Sequence, residues 1–535
     1  MIHQTKLAPA CLLLFVYFLT AGVGYELHAA LWLPHSLSDH ILFQQAEPIV
    51  LWGKAAPHSR ISTELDDENS GVAVDDGNTV ADADCRWKIS LKPLKASFKK
   101  YTLKITGDGD TRFIHDALVG ELWLSGGQSN MAFPVRRMLG GEEIMAAASQ
   151  DNIRIFYQQN PVLQPDVQVV TPVDDTLKGH WLSAASGANV AECSGVAYAF
   201  AHALYDDLNK GGRQVPVGVM NTAVGSTGVE AWMSRAAMEN DPLLKVRMPT
   251  NWFATKWEAT TLFNLKIAPL TRHAVRGFIW YQGENNASGG ATGAEFYKQA
   301  LTALIADWRQ QWGGQMRPFI LSQLAALDDE GKMPLYKLDS LAMLREAQFE
   351  VAQTVPQTAA IPIHDLQKTW NIGNFGWEAP VHPLDKKPVG ERMAMAARAL
   401  AYGEAVQYMG PVFDHLETKG DKVILHFQHA QGLNVGGGGP LIGFAVCGSD
   451  RRFVEAEARI VGETVEVANV KIKDLVAVTY AFTAMNHSAN LFNGLGLPAY
   501  PFRTDKVKSD FLKGCTDLEA AAAIARQAKI NPASK

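Results

Sequence analysis

The segment Glu121–Met131 places a serine in a setting that suits a nucleophile. Its apolar start, Leu122–Leu124, has the length of a short buried strand, and Gly126 and Gly127 then permit a tight turn. Ser129 follows where a helix could begin, and a helix N-terminus favours developing negative charge. Ser129 is therefore our candidate nucleophile, although it could instead serve only as a helix N-cap. The segment also lacks the last glycine of the G-x-S-x-G elbow of ordinary α/β-hydrolases.

Residues 127–131, with the sequence GQSNM, resemble the first sequence block of the SGNH hydrolases. Residues 33–44 and 50–53 near the start of the chain, and residues 496–505 near its end, resemble the sialate O-acetylesterase family within that superfamily. The resemblance extends over residues 33–506. It implies an α/β fold, in which an SGNH-type three-layer α/β/α catalytic domain with a parallel sheet is flanked by N- and C-terminal β-rich domains of the sandwich or jelly-roll type.

A glycine-rich stretch, residues 221–232, resembles the second block of this family. Gly225 matches the glycine whose backbone N–H serves the oxyanion hole, although Ser226 stands where a second glycine is usual. The resemblance implies an oxyanion hole formed by Ser129, Gly225 and Asn286. Without the other blocks, the same stretch would be interpreted as a plain turn between a strand and a helix.

Residues 280–286 resemble the third block, in which Asn286 matches the side-chain donor to the oxyanion. Gln128, Gln282 and Glu284 are predicted to shape the site through hydrogen bonds, although Glu284 could be a purely structural carboxylate. Asn286 also begins a glycosylation sequon. A residue that points into a catalytic site cannot be modified, so we interpret the sequon as accidental.

The candidate base is His382, because residues 381–392 resemble the fourth block, where a His-Pro pair precedes a lysine and a helix that carries an arginine. The sequence contains 15 histidines, so the residue type alone decides nothing. His382 is preferred because its neighbours match the block. His364 is the rival base.

The acid that would orient the base is not evident from the sequence. In the common SGNH hydrolase pattern an aspartate often lies two or three residues before the histidine, but Ala379 and Pro380 occupy those positions. A main-chain carbonyl could hold the imidazole in a Ser-His dyad. The possible third member of a triad is Glu378, with Asp365 and Asp385 behind it.

The elements that must position these residues change in type along the chain. Residues 25–115 contain short alternating strands and a predicted turn at 75–78, which indicates an N-terminal β domain. Strands and helices alternate over residues 116–408, which predicts the catalytic domain and its parallel sheet. Residues 409–510 return to strands as a C-terminal β domain, and residues 511–535 form a tail.

Residues 1–24 contain Lys6 and then an apolar run followed by small residues, which is typical of a secretory signal peptide. We therefore predict a secreted or periplasmic protein with no stable membrane insertion after cleavage. The alternative is an uncleaved anchor. No later segment is long and apolar enough to span a bilayer.

The cysteines show no metal-binding pattern. Cys11 would be removed with the signal peptide, and the spacing of Cys85, Cys193, Cys447 and Cys515 leaves disulfides and free thiols equally open. The proposed site already contains the groups that ester hydrolysis needs. We therefore predict that neither a metal nor an organic cofactor is required.

The chain has 535 residues, enough for several domains, and its net charge of −6 gives no reason to expect nucleic acid as a partner. The predicted function is a secreted serine esterase that removes O-acetyl groups from sugars or glycans, with O-acetylated sialic acids as the favoured substrate. One alternative is an acetylesterase for xylan or pectin. Another is an inactive carbohydrate-binding homologue, favoured by the missing acid near His382. The sequence leaves the oligomeric state open.

Overall fold

The computed structural model describes residues 31–159, 177–248, 257–287, 290–327, 335–368, 381–472, 474–483 and 488–505. Several predictions concern residues outside these ranges. They are the signal peptide at 1–24, the tail at 511–535, Glu378, Cys11 and Cys515.

The first part of the chain is built mostly from antiparallel strands, several of which alternate in burial. Strand residues in this region point alternately toward the core and toward solvent, as half-buried strands require. The strands are β1 (Leu42–Gln44), β2 (Ile49–Lys54), β3 (Arg60–Asp67), β4 (Ala73–Val80), β5 (Arg86–Leu91), β6 (Ser97–Gly107) and β7 (Asp110–Gly127).

The turn predicted at residues 75–78 is wrong, because these residues lie inside β4 and pair with β3. Gly77 gives the reason. A Cβ atom on Gly77 would lie 2.6 Å from the Cγ2 atom of Ile89, so the glycine makes room for a side chain of β5. Pairing and packing across the sheet therefore override the local preference of aspartate, glycine and asparagine for turns.

Strand β7 belongs both to the N-terminal β region and to the central sheet. It is 18 residues long, and from Ala117 to Gly127 every residue is buried. Its first half pairs antiparallel with β6, and Leu118–Gly120 pair in parallel with β1. The predicted domain boundary between residues 115 and 116 falls within this continuous strand, and the division into domains stays a prediction.

The central sheet has the predicted parallel architecture. Besides β7, its strands are β8 (Gln150–Gln158), β9 (Gly179–Ala184), β10 (Val217–Asn221), β11 (Gly277–Tyr281), β12 (Phe319–Ser322) and β13 (Thr358–Ile361). The strands lie in the order β13-β12-β11-β7-β10-β8-β9, and each neighbouring pair is parallel except β8 and β9 at one edge.

Helices of different lengths accompany the sheet. They are α1 (Ser129–Ala132), α2 (Gly141–Ala147), α3 (Gly187–Val190), α4 (Gly195–Leu208), α5 (Arg235–Asn240), α6 (Pro242–Lys245), α7 (Gly290–Gln311), α8 (Leu335–Thr354) and α9 (Lys387–Tyr402). The long helices pack in two pairs, α4 against α9 and α7 against α8, while α4, α8 and α9 also contact strands of the sheet. This mixed α/β arrangement confirms the predicted fold class. None of the helices in the described ranges combines the length and apolar character needed to cross a bilayer.

Large aromatic side chains fill the core on one side of β7 and β11. Trp280 and Trp308 meet edge to face, with ring centroids 5.5 Å apart, and both are fully buried. Their rings also surround Gly126, where a Cβ atom would lie 2.8 Å from Trp308. The carboxyl end of β7 is therefore held rigidly just before the candidate nucleophile.

The C-terminal part of the chain has its own apolar core between two antiparallel sheets, β14-β15-β20-β19 and β18-β17-β21-β23. Its strands are β14 (Val412–Lys419), β15 (Lys422–Gln428), β16 (Asn434–Val435), β17 (Phe444–Cys447), β18 (Val454–Glu455), β19 (Glu457–Val461), β20 (Thr464–Ala468), β21 (Ala477–Tyr480), β22 (Leu491–Phe492) and β23 (Phe502–Arg503). Cys193 and Cys447 are both buried free thiols, so neither forms one of the disulfides that the sequence had left open.

Candidate active site

Three of the four predicted sequence blocks leave the carboxyl ends of adjacent parallel strands. β7 ends at Gly127, with β10 on one side and β11 on the other. After β7 the chain first forms β8 to β10 on one side of this strand and later β11 to β13 on the other side. Ligand sites in open α/β sheets form outside the carboxyl ends of the strands at such a reversal of strand order.

The turn after β7 presents Ser129 at the start of α1. Gly127 has φ +138°, and a Cβ atom there would lie 2.1 Å from the carbonyl oxygen of Tyr281. Gln128 is extended and is the N-cap residue, whereas Ser129 is the first residue of the helix. The alternative that Ser129 acts only as an N-cap is therefore wrong, and its hydroxyl can bond elsewhere.

The structure brings Ser129 and His382 together across 253 residues of sequence. The Nε2 atom of His382 lies 2.8 Å from the Oγ atom of Ser129, and the two residues are only 8% and 7% exposed. This separation is within reach for proton transfer from a hydroxyl to an imidazole. His364, the rival base, lies instead beside Tyr480, and burial lowers its pKa to about 4.

Gly225 packs directly against the nucleophile. A Cβ atom at Gly225 would lie 3.6 Å from the Cβ atom of Ser129. The turn that carries Gly225 is held to the end of β7, because the N–H of Val224 donates to the carbonyl of Gly127 over 3.0 Å. Ser226 has φ +60°, a left-handed conformation that glycine adopts at no cost. The local backbone is thus compatible with the glycine that the family resemblance implies at this position.

Asn286 is buried and its amide is fixed in one orientation. Its Oδ1 atom accepts hydrogen bonds from the N–H of Val229 at 3.0 Å and from Nε2 of Gln282 at 2.7 Å. Its Nδ2 atom donates to Glu230 at 3.0 Å. A side-chain amide has two N–H groups, so one remains for a ligand once Glu230 has accepted the other.

Gln128 and Gln282 link the first and third blocks. The Nε2 atom of Gln282 donates to Oε1 of Gln128 at 3.2 Å and to the carbonyl of Thr227 at 2.9 Å. Gln128 in turn donates to Oδ1 of Asn285 at 3.2 Å. These bonds hold the ends of β7 and β11 and the second block together, and the role of both glutamines in shaping the site stays a prediction.

Asn130, the residue after the nucleophile, uses its entire side-chain amide within the protein. It donates to Oε1 of Glu284 at 2.5 Å and to the carbonyl of Val381 at 2.8 Å, and it accepts from Nζ of Lys386 at 2.5 Å. Lys386 is fully buried, and burial lowers its pKa to about 7. Burial also raises the pKa of Glu284, against the effect of the hydrogen bond from Asn130.

Sequence reasoning did not single out Glu230, Asn130 or Lys386 as functional. Each nevertheless lies inside a block that the sequence identified. Their contacts join residues that are distant along the chain, and no local pattern indicates such contacts.

The partner of His382 stays a prediction, because Glu378 lies outside the described residues. Asp365 forms a two-pronged ion pair with Arg392, at 2.8 and 2.6 Å. Burial raises the pKa of the Asp385 carboxyl. Within the part of the chain that the structure describes, the one group with the geometry of a metal site lies on β14 and β15 rather than around Ser129.

Comparison with known proteins gives a consistent result. A family described as carbohydrate esterase, sialic acid-specific acetylesterase, matches residues 119–396. A carbohydrate acetylesterase from Xanthomonas citri has a similar structure, with a TM-score of 0.75 and 33% identity over 89% of this chain and 100% of that chain. Sialate O-acetylesterases from Homo sapiens and Pongo abelii are each 26% identical, covering 78% and 87% of this chain and 79% and 88% of their own.

Proposed function

Because the chain belongs to the sialic acid-specific acetylesterase family of carbohydrate esterases, we propose that it removes O-acetyl groups from sialic acids through an acyl-enzyme on Ser129. Its family makes it a carboxylic ester hydrolase that deacetylates carbohydrates. The hydrogen bond between Ser129 and His382 carries this proposal. A buried hydroxyl beside an imidazole is the arrangement that activates a serine as a nucleophile.

The first half-reaction forms the acyl-enzyme. Oγ of Ser129 attacks the carbonyl carbon of the acetyl group while Nε2 of His382 takes the hydroxyl proton. The carbonyl π electrons move onto oxygen, and the tetrahedral intermediate then collapses. The bond from carbon to the sugar oxygen breaks, and that oxygen takes the proton from His382. The sugar leaves as an alcohol, and acetyl-Ser129 remains.

The second half-reaction releases acetate. A water molecule gives a proton to Nε2 of His382 as it attacks the acetyl carbon of acetyl-Ser129. Collapse of the second tetrahedral intermediate breaks the bond to Oγ of Ser129, which recovers its proton from His382. The products are acetic acid, which ionises, and the regenerated enzyme.

Donors to the negative oxygen come from three places in this proposal. They are the backbone N–H groups of Ser129 and Gly225 and the second N–H of Asn286. The contacts of Asn286 with Glu230 and Gln282 support this role, because they fix the amide before the substrate arrives. Donors fixed in advance cost no reorganisation when charge develops.

Acetate release tests the proposal. The purified full chain is incubated with 9-O-acetylated sialic acid, acetylxylan, acetylated pectin and p-nitrophenyl acetate, and Ser129→Ala is run beside it. We expect sialic acid to give the largest kcat/KM and Ser129→Ala to lose nearly all activity on every ester. A preference for xylan or pectin would move the substrate to plant polysaccharide and keep the mechanism. Wild-type turnover by Ser129→Ala would refute the mechanism, and no hydrolysis by the wild-type chain would favour the binding homologue.

We also propose that the protein is secreted and that residues 1–24 are its cleaved leader. The apolar run in this segment and the small residues after it support the proposal. Mass spectrometry of the protein expressed with its own leader gives the mature N-terminus. An intact N-terminus in the membrane fraction would instead favour the anchor.

A further inference from the structure

Strand β14 contains a bulge that places two neighbouring polar side chains together. Its pairing with β15 runs from Phe413 opposite Phe427 to His415 opposite His426, so Asp414 is the extra residue. Consecutive strand residues normally point to opposite faces. The bulge removes this alternation, and Oδ2 of Asp414 lies 2.7 Å from Nδ1 of His415.

Two imidazoles and a carboxylate meet on the same face of this strand pair. The rings of His415 and His426 are nearly parallel, at 4°, with centroids 4.3 Å apart. Glu417 lies two residues beyond His415 and hence on the same face, and its Oε1 atom is 3.5 Å from Nε2 of His426. One potential ligand atom from each of the three residues lies within 4.8 Å of the others.

We propose that His415, Glu417 and His426 form a binding site for a divalent transition-metal ion of the zinc type on the outer face of the C-terminal sheet. Two imidazoles and one carboxylate favour Zn²⁺, Ni²⁺ or Cu²⁺ over Mg²⁺ and Ca²⁺, which prefer oxygen ligands alone. Zinc bonds of about 2.0–2.2 Å in tetrahedral geometry put ligand atoms about 3.4 Å apart. The separation between Glu417 and His426 already matches this value.

The other ligand atoms can approach to this separation through side-chain rotation alone. The side chains of His415 and Glu417 are 54% and 59% exposed, so they can turn toward the ion without displacing the core. His426 is less exposed, at 30%, and provides the fixed part of the site. The three protein ligands leave a fourth position for water.

Asp414 supports the site through a hydrogen bond with the ligand His415. Histidine ligands commonly donate their other ring N–H to a carboxylate, which fixes the tautomer and increases the basicity of the metal-binding nitrogen. Asp414 is placed to accept from Nδ1 of His415, which directs the lone pair to Nε2. Asp414 is itself held by Nε2 of Gln428 at 3.0 Å.

A simple ion pair explains less of this arrangement. A bond between His426 and Glu417 would need neither the bulge at Asp414 nor a second imidazole stacked on the first. A bound ion would also tie β14, the edge strand of its sheet, to β15.

Calorimetric titration of the full chain tests the site. The protein is first stripped with EDTA, dialysed and then titrated with ZnCl₂ or with MgCl₂. We expect one zinc site per chain and no magnesium binding. His415→Ala and His426→Ala should abolish this site, and Asp414→Asn should weaken it by about 10–100-fold, the usual effect of losing the carboxylate behind a ligand.

His202→Ala is the matched control. His202 is a partly exposed histidine near a carboxylate, with Nδ1 3.0 Å from Asp206, but it lies on α4 outside the cluster. This variant should bind zinc as the wild type does. Zinc affinity unchanged by His415→Ala, or no zinc binding by the wild type, would overturn the proposal. Hydrolysis of p-nitrophenyl acetate reports that each variant is folded, because the cluster lies outside the candidate active site.

Discussion

The side chain of Asn130 donates a 2.8 Å hydrogen bond to the main-chain carbonyl of Val381. Asn130 follows the candidate nucleophile directly, and Val381 directly precedes the candidate base. The bond therefore connects the two loops one residue away from each reacting group. It keeps Ser129 and His382 within hydrogen-bonding distance, with Lys386 fixing the amide from its other side.

Lys386→Met is expected to lower kcat and to leave KM nearly unchanged. The substitution removes the donor to Oδ1 of Asn130 and leaves Glu284 without its buried cationic neighbour. A displacement of about 1 Å at reacting groups can cost about 10²-fold in rate. The control is Lys387→Met, because the Lys387 side chain is 61% exposed and lies 3.7 Å from Glu391 at the surface. Steady-state kinetics on p-nitrophenyl acetate measures kcat and KM of both variants. Equal losses of kcat in the two variants would show that Lys386 has no specific role in holding the reacting groups in place.

Asn286→Ala is expected to lower kcat by about 10²–10³, the usual cost of losing one donor to the oxyanion. KM should change little, since the bond strengthens mainly in the transition state. Glu230→Gln should cost about tenfold or less, because a neutral amide can still accept the hydrogen bond from Asn286. Kinetics of both variants on one acetyl ester provide the measurement. A loss by Asn286→Ala confined to KM would assign this residue to substrate binding.

The partner of His382 can be identified by neutralising the nearby acids one at a time. If a main-chain carbonyl orients the imidazole, Glu378→Gln and Asp385→Asn should each cost less than roughly tenfold in kcat. A charged partner should cost far more, up to about 10⁴ where the wrong tautomer results. Comparing kcat of the two variants with wild type distinguishes the cases. A collapse in either variant would name the acid and exclude the dyad.

Asp365→Asn should reduce stability rather than catalysis. Burial by itself would raise the pKa of the Asp365 carboxyl, but the ion pair with Arg392 lowers this pKa below its usual value, and both side chains are about one-tenth exposed. Removing one partner of a buried ion pair costs about 3–5 kcal/mol. We expect a lower Tm in thermal unfolding, with kcat within about tenfold of wild type. An unchanged Tm with a large loss in kcat would instead make Asp365 the acid of a triad.

Acid is expected to destabilise the protein through His364. Burial lowers the pKa of this histidine from 6.5 to about 4, so the unfolded chain binds the proton more readily between these two values. The free energy of unfolding should therefore fall by roughly 2 kcal/mol from pH 7 to pH 5 through this group. Urea unfolding at both pH values should show a smaller fall in His364→Gln than in wild type. The exposed His180 provides the control, because His180→Gln should fall as the wild type does.

The blocks that carry Ser129, Gly225, Asn286 and His382 were recognisable because each is a short local pattern. The alternation of strands and helices was equally local, and it predicted the parallel sheet correctly. The turn predicted at residues 75–78 is wrong because the space that Gly77 fills is set by Ile89 from another strand.

Contacts across the fold account for what the sequence could not predict. Asn130 is joined to Val381 and Lys386 over more than 250 residues, and Glu230 meets Asn286 over 56 residues. Spacing along the chain carries no signal for such bonds. The N-cap alternative for Ser129 shows the same limit, since residue type suited a cap while the backbone placed Gln128 there.

The shared strand β7 also implies an order of assembly during synthesis. Its first half pairs with β6 through residues 110–119, which precede β10 (Val217–Asn221) and β11 (Gly277–Tyr281) along the chain by about 100 and 160 residues. Until these two strands have been made, the apolar second half of β7 has no partners on either side in the central sheet. We therefore expect the nascent chain to expose an aggregation-prone strand over this interval. In the proposed mechanism the site is complete only after His382 has been added, so a chain stalled before that residue should show no esterase activity.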